Sequence, residues 1–320
     1  MIKKQRLFLV FLVLFSILLS GCLSASQPTV GFYQRVEGDI SFQHTTYIPL
    51  LTNAHSIELG TAIHPGFMWD KRYSDTLAEN FDWVTPEVAG GYWYVYGLHN
   101  GWQPMDTIVQ VAEENGQDVF YHCLRWWWEA QPTDIRVWIT EAMTRYPTIT
   151  DWIVVNEGWG YCNQTIPLID ESFIIAREVR PDARLWYNGL LTDTCEQEQA
   201  IRLVQWRLAD AIGIQMHLNL YSDINVFRPL LDWLQANNVA WAITELDVIV
   251  PVDNAYYRAL QADIYGQVVE LFLEYGGEFI SMWGVGDAVS WQASNYPLPI
   301  DVNYMFKPAW FMLAGGNLFP

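Results

Sequence analysis

The stretch that decides the fold is Asp151–Gly160, which reads DWIVVNEGWG. Its residues Trp152–Asn156 are mostly β-branched or aromatic and carry no charge, a pattern typical of a strand buried on both faces. Glu157 follows directly, and the glycines after it release the backbone into a loop. The segment Trp241–Val248, which reads WAITELDV, has the same pattern, with Glu245 after an apolar run. Strand ends are generally polar, so either glutamate alone could be an ordinary loop acid. The repeated arrangement is what needs an explanation.

Length and composition favour one large domain. The chain has 320 residues, of which 51% are hydrophobic and 17% charged, enough for a substantial core. A single α/β barrel needs about 250 residues. The formal net charge of −19 argues against nucleic acid or an anionic membrane surface as a partner, because a polyanion would be repelled. A neutral substrate is expected instead.

The N-terminal residues predict export. Lys3, Lys4 and Arg6 precede an apolar run, Leu7–Leu19, that is too short to span a membrane and reads as a secretory signal. Its end, Leu-Ser-Gly-Cys, resembles a bacterial lipobox, which would make Cys22 the lipid-modified first residue of the mature protein. The alternative is an ordinary signal peptide with an incidental cysteine. We therefore expect a signal peptide over 1–22, a linker leading into the barrel over 23–50, and one large barrel domain over 51–320. The protein would be extracellular or a cell-surface lipoprotein, touching the membrane only through Cys22.

The cysteines and histidines predict no metal site and no cofactor. Cys162 and Cys195 follow predicted strands, whereas Cys123 lies inside one. In an oxidising compartment, Cys162–Cys195 is a plausible disulfide and Cys123 a buried thiol. The six histidines form no HExxH or other paired ligand motif.

Strand-like and helix-like segments alternate along the chain, which predicts an α/β fold. The eight apolar runs are Ile57–Ile63, Trp83–Pro86, Asp118–Trp126, Trp152–Glu157, Arg184–Gly189, Ala211–His217, Trp241–Leu246 and Phe279–Val285. Helical periodicity marks Pro104–Asn115, Thr133–Tyr146, Phe173–Arg180, Thr194–Leu208, Val226–Asn237, Tyr256–Tyr275 and residues 309–314. A closed TIM (β/α)8 barrel and an open doubly wound sheet both fit this order. The barrel is favoured because no GxGxxG follows the first strand and no GxxxxGK[ST] occurs.

In a barrel, every strand points its C-terminal end at one face, so Glu157 and Glu245 would converge there. Other polar and aromatic residues lie at the ends of predicted strands: Glu87, His122, Trp126, Asn156, Asn188, Gln215, His217, Trp283 and Trp291. Amide and imidazole donors suit sugar hydroxyls, and indoles stack on the apolar face of a pyranose. Two carboxylates suit glycosidic cleavage, in which one protonates the departing oxygen and the other supports the cationic centre.

The motifs resemble glycoside hydrolase family 10, the TIM-barrel endo-1,4-β-xylanases. DWIVVNEGWG (151–160) resembles the family's acid/base strand and ITELDV (243–248) its nucleophile strand. Further similar segments stand in the family's order between residues 122 and 310: HCLRW (122–126), WYN (186–188), AIGIQMH (211–217), WGVGDAVSW (283–291) and KPAW (307–310). Each motif alone is weak, but seven in order are strong.

The resemblance implies a retaining hydrolase that cleaves internal β-1,4 linkages of xylan or a related plant β-glycan. Glu157 would be the general acid/base and Glu245 the nucleophile, with their carboxyl groups about 5–5.5 Å apart. Asn156 would hold the 2-hydroxyl, and Asp247 would support His217 beside Glu245. Burial among indoles, including those of Trp126 and Trp159, should raise the pKa of Glu157, whereas Glu245 can stay ionised beside His217.

Two departures leave the substrate open. Val88 and Gly91 stand where the family has the Asn and Lys that grip the sugar two places from the cleaved bond, and Trp126-Trp-Trp-Glu129 replaces Trp-His-Ser-Gln. A non-hydrolytic surface glycan-binding protein on the same barrel is the main alternative. The aromatic groups at 92–94 and 126–128 would serve either role. A structural cell-surface barrel is a third reading.

Overall fold

Eight parallel strands close into a barrel in the computed structural model, which describes residues 57–98, 100–126, 133–161, 164–165 and 169–314. The strands are β1 (Glu58–Ile63), β2 (Trp83–Pro86), β3 (Asp118–Tyr121), β4 (Asp151–Asn156), β5 (Arg184–Gly189), β6 (Ala211–Asn219), β7 (Ala240–Ile249) and β8 (Phe279–Met282). Each strand pairs with the next in parallel, and β1 pairs with β8 to close the ring. The predicted TIM barrel is confirmed.

Helices surround the barrel and are bounded by local signals in the sequence. They are α1 (Lys71–Asn80), α2 (Gln103–Asn115), α3 (Ile135–Arg145), α4 (Ile169–Val179), α5 (Thr194–Gln205), α6 (Arg228–Ala236), α7 (Ala255–Tyr275) and α8 (Pro308–Leu313). Asp70, Asp134 and Asp193 cap α1, α3 and α5 by accepting backbone N–H groups of the first turn. Gly116 and Gly276 end α2 and α7 in the left-handed conformation, which glycine adopts without a steric cost.

Several element boundaries differ from those predicted. Helix α1 was not among the predicted helices, because its sequence KRYSDTLAEN has only two buried positions, Tyr73 and Leu77. The third strand stops at Tyr121, and Arg125–Trp126 pairs separately with the end of β4. The fourth stops at Asn156, one residue before Glu157. Strands β6 and β7 run further than predicted, because Glu245–Ile249 pairs with Gln215–Asn219.

Large side chains fill the barrel below the C-terminal face. Inside the ring, Phe120 packs edge-to-face on Trp186 and on Phe279 at centroid distances of 5.1 and 5.2 Å, and Trp186 lies tilted against Phe279 at 5.9 Å. Fully burying side chains of this kind stabilises a fold by roughly 1.5–3 kcal/mol each. A second, larger cluster packs the strands against the helices. The barrel interior is therefore filled with buried apolar side chains below the residues at the strand ends.

The predictions for the N-terminal region fall outside the described residues. They concern the signal peptide over 1–22, the lipobox Cys22 and the linker over 23–50, and all three stay predictions. Within the described ranges, the helices are too short or too polar for any of them to cross a bilayer.

Candidate active site

Glu157 and Glu245 meet at the C-terminal face of the barrel. Glu157 follows β4 directly and is half-buried, whereas Glu245 lies within β7 and is 3% exposed. The side-chain amide of Gln215 on β6 donates to both, at 3.2 Å from Nε2 to Glu157 Oε1 and 2.7 Å to Glu245 Oε1. Those two oxygens therefore lie at most 5.9 Å apart, the sum of 3.2 and 2.7 Å.

Strand register brings the other site residues beside the glutamates. Glu245 and Asp247 on β7 stand opposite Gln215 and His217 on β6. A register shift between Ile243 and Glu245 creates this alignment. Such bulges re-aim side chains next to functional sites. In the same way Asn156 on β4 stands opposite both Asn188 on β5 and Trp126.

Glu245 is held on both of its carboxylate oxygens. Its Oε1 accepts from the Asn188 amide at 2.7 Å and from Gln215. Its Oε2 lies 3.2 Å from His217 Nε2, and His217 Nδ1 lies 2.9 Å from Asp247 Oδ2. The carboxylate is thus fixed in orientation before any ligand binds.

His217 determines the charge of Glu245. Burial alone would lower the pKa of His217, but the Asp247 and Glu245 carboxylates on either side raise it to about 10. Burial likewise favours the neutral form of Glu245, yet the hydrogen bond and charge of His217 outweigh it and lower the pKa of Glu245 below its usual value. At neutral pH the pair is an imidazolium beside a carboxylate.

Glu157 experiences the opposite environment. Burial and then the negative charge of Glu245 raise its pKa above the usual value, although donors from Trp126 and Gln215 reduce the effect. The Trp126 indole N–H reaches Glu157 Oε2 at 3.1 Å. The side chain of Trp159, also predicted beside Glu157, lies outside the described part of the chain. The pKa values of the two carboxyl groups are therefore shifted in the opposite directions that were predicted: the surroundings of Glu157 favour its protonated form, and those of Glu245 favour its ionised form.

Asn156 is fixed by its neighbours. It is 1% exposed, and its Oδ1 accepts from Asn188 Nδ2 at 2.6 Å and Gln215 Nε2 at 3.1 Å. Thr244 in turn donates its hydroxyl to Asn188 Oδ1. Thr244 was not predicted as a site residue, because a threonine within a β-branched run carries no signal that separates it from the core.

Two indoles lie above His217. The Trp283 ring is 9% exposed and lies 5.2 Å from the His122 ring between centroids. Trp291 is 52% exposed, its ring lies 5.1 Å from that of His217, and its Nε1 donates to Asp247 Oδ2 at 2.8 Å. Trp291 therefore combines an exposed ring face with a bond to the partner of His217.

Glu87 and His122 complete the predicted set on the side of β2 and β3. Burial, followed by the charge of Glu245, raises the pKa of Glu87 to about 7. Within the described ranges, no residue donates a hydrogen bond to its carboxyl group. Burial lowers the pKa of His122, whose Nε2 lies 3.8 Å from Glu245 Oε1. Glu87 is thus coupled to Glu245 through its charge, and His122 lies directly beside Glu245.

Other predicted features fall beside this site or outside the description. Tyr92, from the aromatic group at 92–94, packs its ring edge-to-face on Trp138 of α3 at 5.4 Å. Cys195 is disulfide-bonded, and Cys123 is a buried thiol. Cys162 lies outside the described residues, so the Cys162–Cys195 pairing stays a prediction. Over the described ranges, no group of three or more His, Cys, Asp or Glu could hold a metal ion.

Comparisons with known proteins identify a sequence family and related barrels. A sequence model of Glycosyl hydrolase family 10 matches residues 49–315. A β-1,4-xylanase of Dictyoglomus thermophilum is 28% identical, covering 76% of this chain and 84% of that protein. The anti-sigma-I factor RsgI6 of Acetivibrio thermocellus is 25% identical over 78% of this chain but only 36% of its own length. The intracellular xylanase of Thermoanaerobacterium saccharolyticum, solved with xylotetraose, has a TM-score of 0.71 and 24% identity, covering 81% of this chain and 95% of that one.

Proposed function

The chain belongs to glycosyl hydrolase family 10, and we propose that it is a retaining endo-1,4-β-xylanase, acting on internal linkages of xylan or a closely related plant β-glycan. The observation that carries the proposal is the pair of carboxyls that share the Gln215 amide. Their nearest oxygens are at most 5.9 Å apart. Retaining enzymes place the two groups about 5–5.5 Å apart, whereas inverting enzymes need about 6.5–9.5 Å to admit a water.

In the first step, Glu245 attacks the anomeric carbon while Glu157 gives its proton to the departing glycosidic oxygen. The lowered pKa of Glu245 favours the charged nucleophile, and the raised pKa of Glu157 favours the protonated acid. In the second step, the ionised Glu157 takes a proton from water, and that water displaces Glu245 from the sugar. Both steps invert the anomeric carbon, so the product keeps the β configuration.

Neighbouring residues would hold the sugar. Asn156 is positioned to address the 2-hydroxyl, a contact that strengthens in the transition state. Trp283 and Trp291 would stack on the sugar face, and His122 would address a hydroxyl close to Glu245. Val88 and Gly91 remove two polar contacts on the non-reducing side, so recognition there should be weaker than elsewhere in the family.

A non-hydrolytic glycan-binding role is the second candidate. One relative over 78% of this chain is named as an anti-sigma factor rather than a xylanase. Against this role stand the opposite environments of the two carboxyl groups, since binding a neutral glycan does not require one acid with a raised pKa beside another with a lowered pKa.

We further propose that the protein is exported and is held at the cell surface by a lipid on Cys22, with the Cys162–Cys195 disulfide formed after export. The basic start, the short apolar run and the Leu-Ser-Gly-Cys ending at 19–22 support this. Expression in a bacterial host with labelled palmitate tests it. Cys22→Ser should lose the label and leave the membrane fraction, and a label retained by that variant would refute the lipobox assignment.

The decisive experiment for the function is the hydrolysis of xylohexaose followed by proton NMR. The proposal predicts internal cleavage and a β-anomer signal that appears before mutarotation produces the α-anomer. Initial formation of the α-anomer would rule out retention. An inactive protein that still binds xylan in a pull-down would favour the glycan-binding role.

A further inference from the structure

A buried acid with no assigned role lies behind Glu157. Glu196, in the first turn of α5, is 5% exposed. Its Oε1 accepts from the Tyr187 hydroxyl at 3.3 Å, and its Oε2 accepts from the Leu191 N–H at 2.7 Å. Gly189 leaves space for this carboxylate, because a Cβ there would lie 2.6 Å from Glu196 Oε1. The acid is therefore fixed at both oxygens.

Tyr187 joins this acid to the segment that carries Glu157. Tyr187 is fully buried, and its hydroxyl accepts the backbone N–H of Gly158. A Cβ on Gly158 would lie only 3.3 Å from the Tyr187 ring. The preceding amide, that of Glu157, donates to the carbonyl of Asn188 at 2.8 Å. Two consecutive amides at Glu157 and Gly158 are thus tied to β5.

The backbone at this point needs such support. Glu157 has φ of 49°, in the left-handed region that a non-glycine residue seldom adopts. Such a conformation costs on the order of 1–3 kcal/mol and persists only where its surroundings hold it. Leu191, which donates to the other oxygen of Glu196, is also left-handed, with φ of 53°. The Glu196 carboxyl group therefore binds one left-handed residue directly, and through Tyr187 it reaches the amide that follows the other, Glu157.

Packing alone does not explain an acid at this position. Among the described residues, no Lys, Arg or His forms an ion pair with Glu196. Burial raises its pKa to about 7; the Leu191 N–H opposes the rise, and the charge of Asp193 adds to it. A buried carboxyl group without a cation is costly, so an amide or apolar side chain would serve a purely structural purpose better.

We propose that Tyr187 and Glu196 are positioning residues for the general acid. The chain of contacts from Glu196 through Tyr187 to Gly158 holds the Glu157 backbone, so that the carboxyl group points at the departing glycosidic oxygen. The inference rests on the proposed function, since only a hydrolase needs Glu157 to deliver a proton. It predicts a defect confined to substrates whose leaving group requires that proton.

The test compares Tyr187→Phe and Glu196→Gln with the unmodified enzyme on two substrates. Xylohexaose has a poor leaving group, whereas 2,4-dinitrophenyl β-xylobioside departs without protonation. General acid catalysis contributes about 10²–10⁴-fold, so partial misplacement should lower kcat/KM on xylohexaose by about 10-fold. The aryl substrate should change by less than about two-fold, with KM unchanged, because its reaction gains little from a general acid. The matched control is Tyr265→Phe, which removes another buried hydroxyl, bonded to the Pro297 carbonyl at 3.0 Å. It should alter both substrates by the same factor.

Equal slowing on both substrates, or no slowing on either, would overturn the positioning role. Melting curves for each variant separate misplacement from unfolding. If Tyr187→Phe does not fold, Glu196→Gln still decides the question, because it keeps the side-chain shape, removes the charge and replaces one acceptor oxygen with an NH2 donor. If the unmodified enzyme cleaves neither substrate, the proposed function fails and this inference fails with it. Cleavage by the unmodified enzyme without a leaving-group effect in the variants overturns the inference alone.

Discussion

Replacing Glu157 by alanine should remove the proton donor and leave the nucleophile intact. Glu245 keeps its donors Asn188 and His217, which do not contact Glu157 through any hydrogen bond of the described structure. The glycosyl-enzyme can therefore still form when the leaving group needs no proton. We expect kcat/KM on xylohexaose to fall by about 10²–10⁴-fold, the usual contribution of a general acid. On 2,4-dinitrophenyl β-xylobioside the fall should be no more than about 10-fold.

The structure also indicates that azide should rescue this variant. Removing the carboxyl group takes away the acceptor that lies 3.1 Å from the Trp126 indole N–H and the acceptor that lies 3.2 Å from the Gln215 amide, which keeps its bonds to Glu245 and Asn156. A small anion fits that space, and azide would attack the glycosyl-enzyme from the face that water uses. The expected product is a β-xylobiosyl azide, which NMR identifies. In Glu245→Ala, azide would enter from the opposite face and give the α-azide. The roles would be reversed if Glu157→Ala gave the α-azide and Glu245→Ala the β-azide.

Three further predictions follow from the site and its supports. Because the Trp126 hydrogen bond lowers the pKa of Glu157, Trp126→Phe should raise that pKa and shift the basic limb of the pH profile of kcat/KM to higher pH. A basic limb that stays in place or moves to lower pH would contradict the assignment of Glu157 as the acid. Because Val88 stands where the family has an asparagine, Val88→Asn should raise kcat/KM on linear xylotriose several-fold, in line with about 0.5–1.5 kcal/mol for one hydrogen bond. An unchanged kcat/KM would show that Val88 does not face the sugar. Lys307 Nζ lies 2.8 Å from Asp287 Oδ2 with both side chains fully buried, so Lys307→Met should lower the free energy of unfolding, measured by urea titration, by about 3–5 kcal/mol. The double variant Lys307→Met with Asp287→Asn should recover part of this loss, because no buried charge is left without its partner.

The sequence predicted the site well because a barrel converts chain order into position. Once eight strands are assumed parallel, every strand end lies on one face, so Glu157 and Glu245 must approach each other although 87 residues separate them in the sequence. The aligned motifs also anticipated the opposite environments of the two acids. Local detail was harder, because Glu245 lies inside β7 and not at its end, and the register shift at Ile243 and Glu245 has no signature in WAITELDV.

What the sequence did not reveal is how the acid/base is supported from behind. Helix α5 reads TCEQEQAIRLVQ, in which Glu196 and Glu198 look equivalent, yet Glu196 is 5% exposed and bonded to Tyr187. Periodicity assigns a face to each residue but cannot say which polar residue lies under which loop. The left-handed backbone at Glu157 is likewise invisible in DWIVVNEGWG, since glutamate carries no preference for that conformation. Transferring the segment DWIVVNEGWG to another barrel without Tyr187 and Glu196 would therefore supply the carboxyl group of Glu157 but not the contacts that hold its backbone in place.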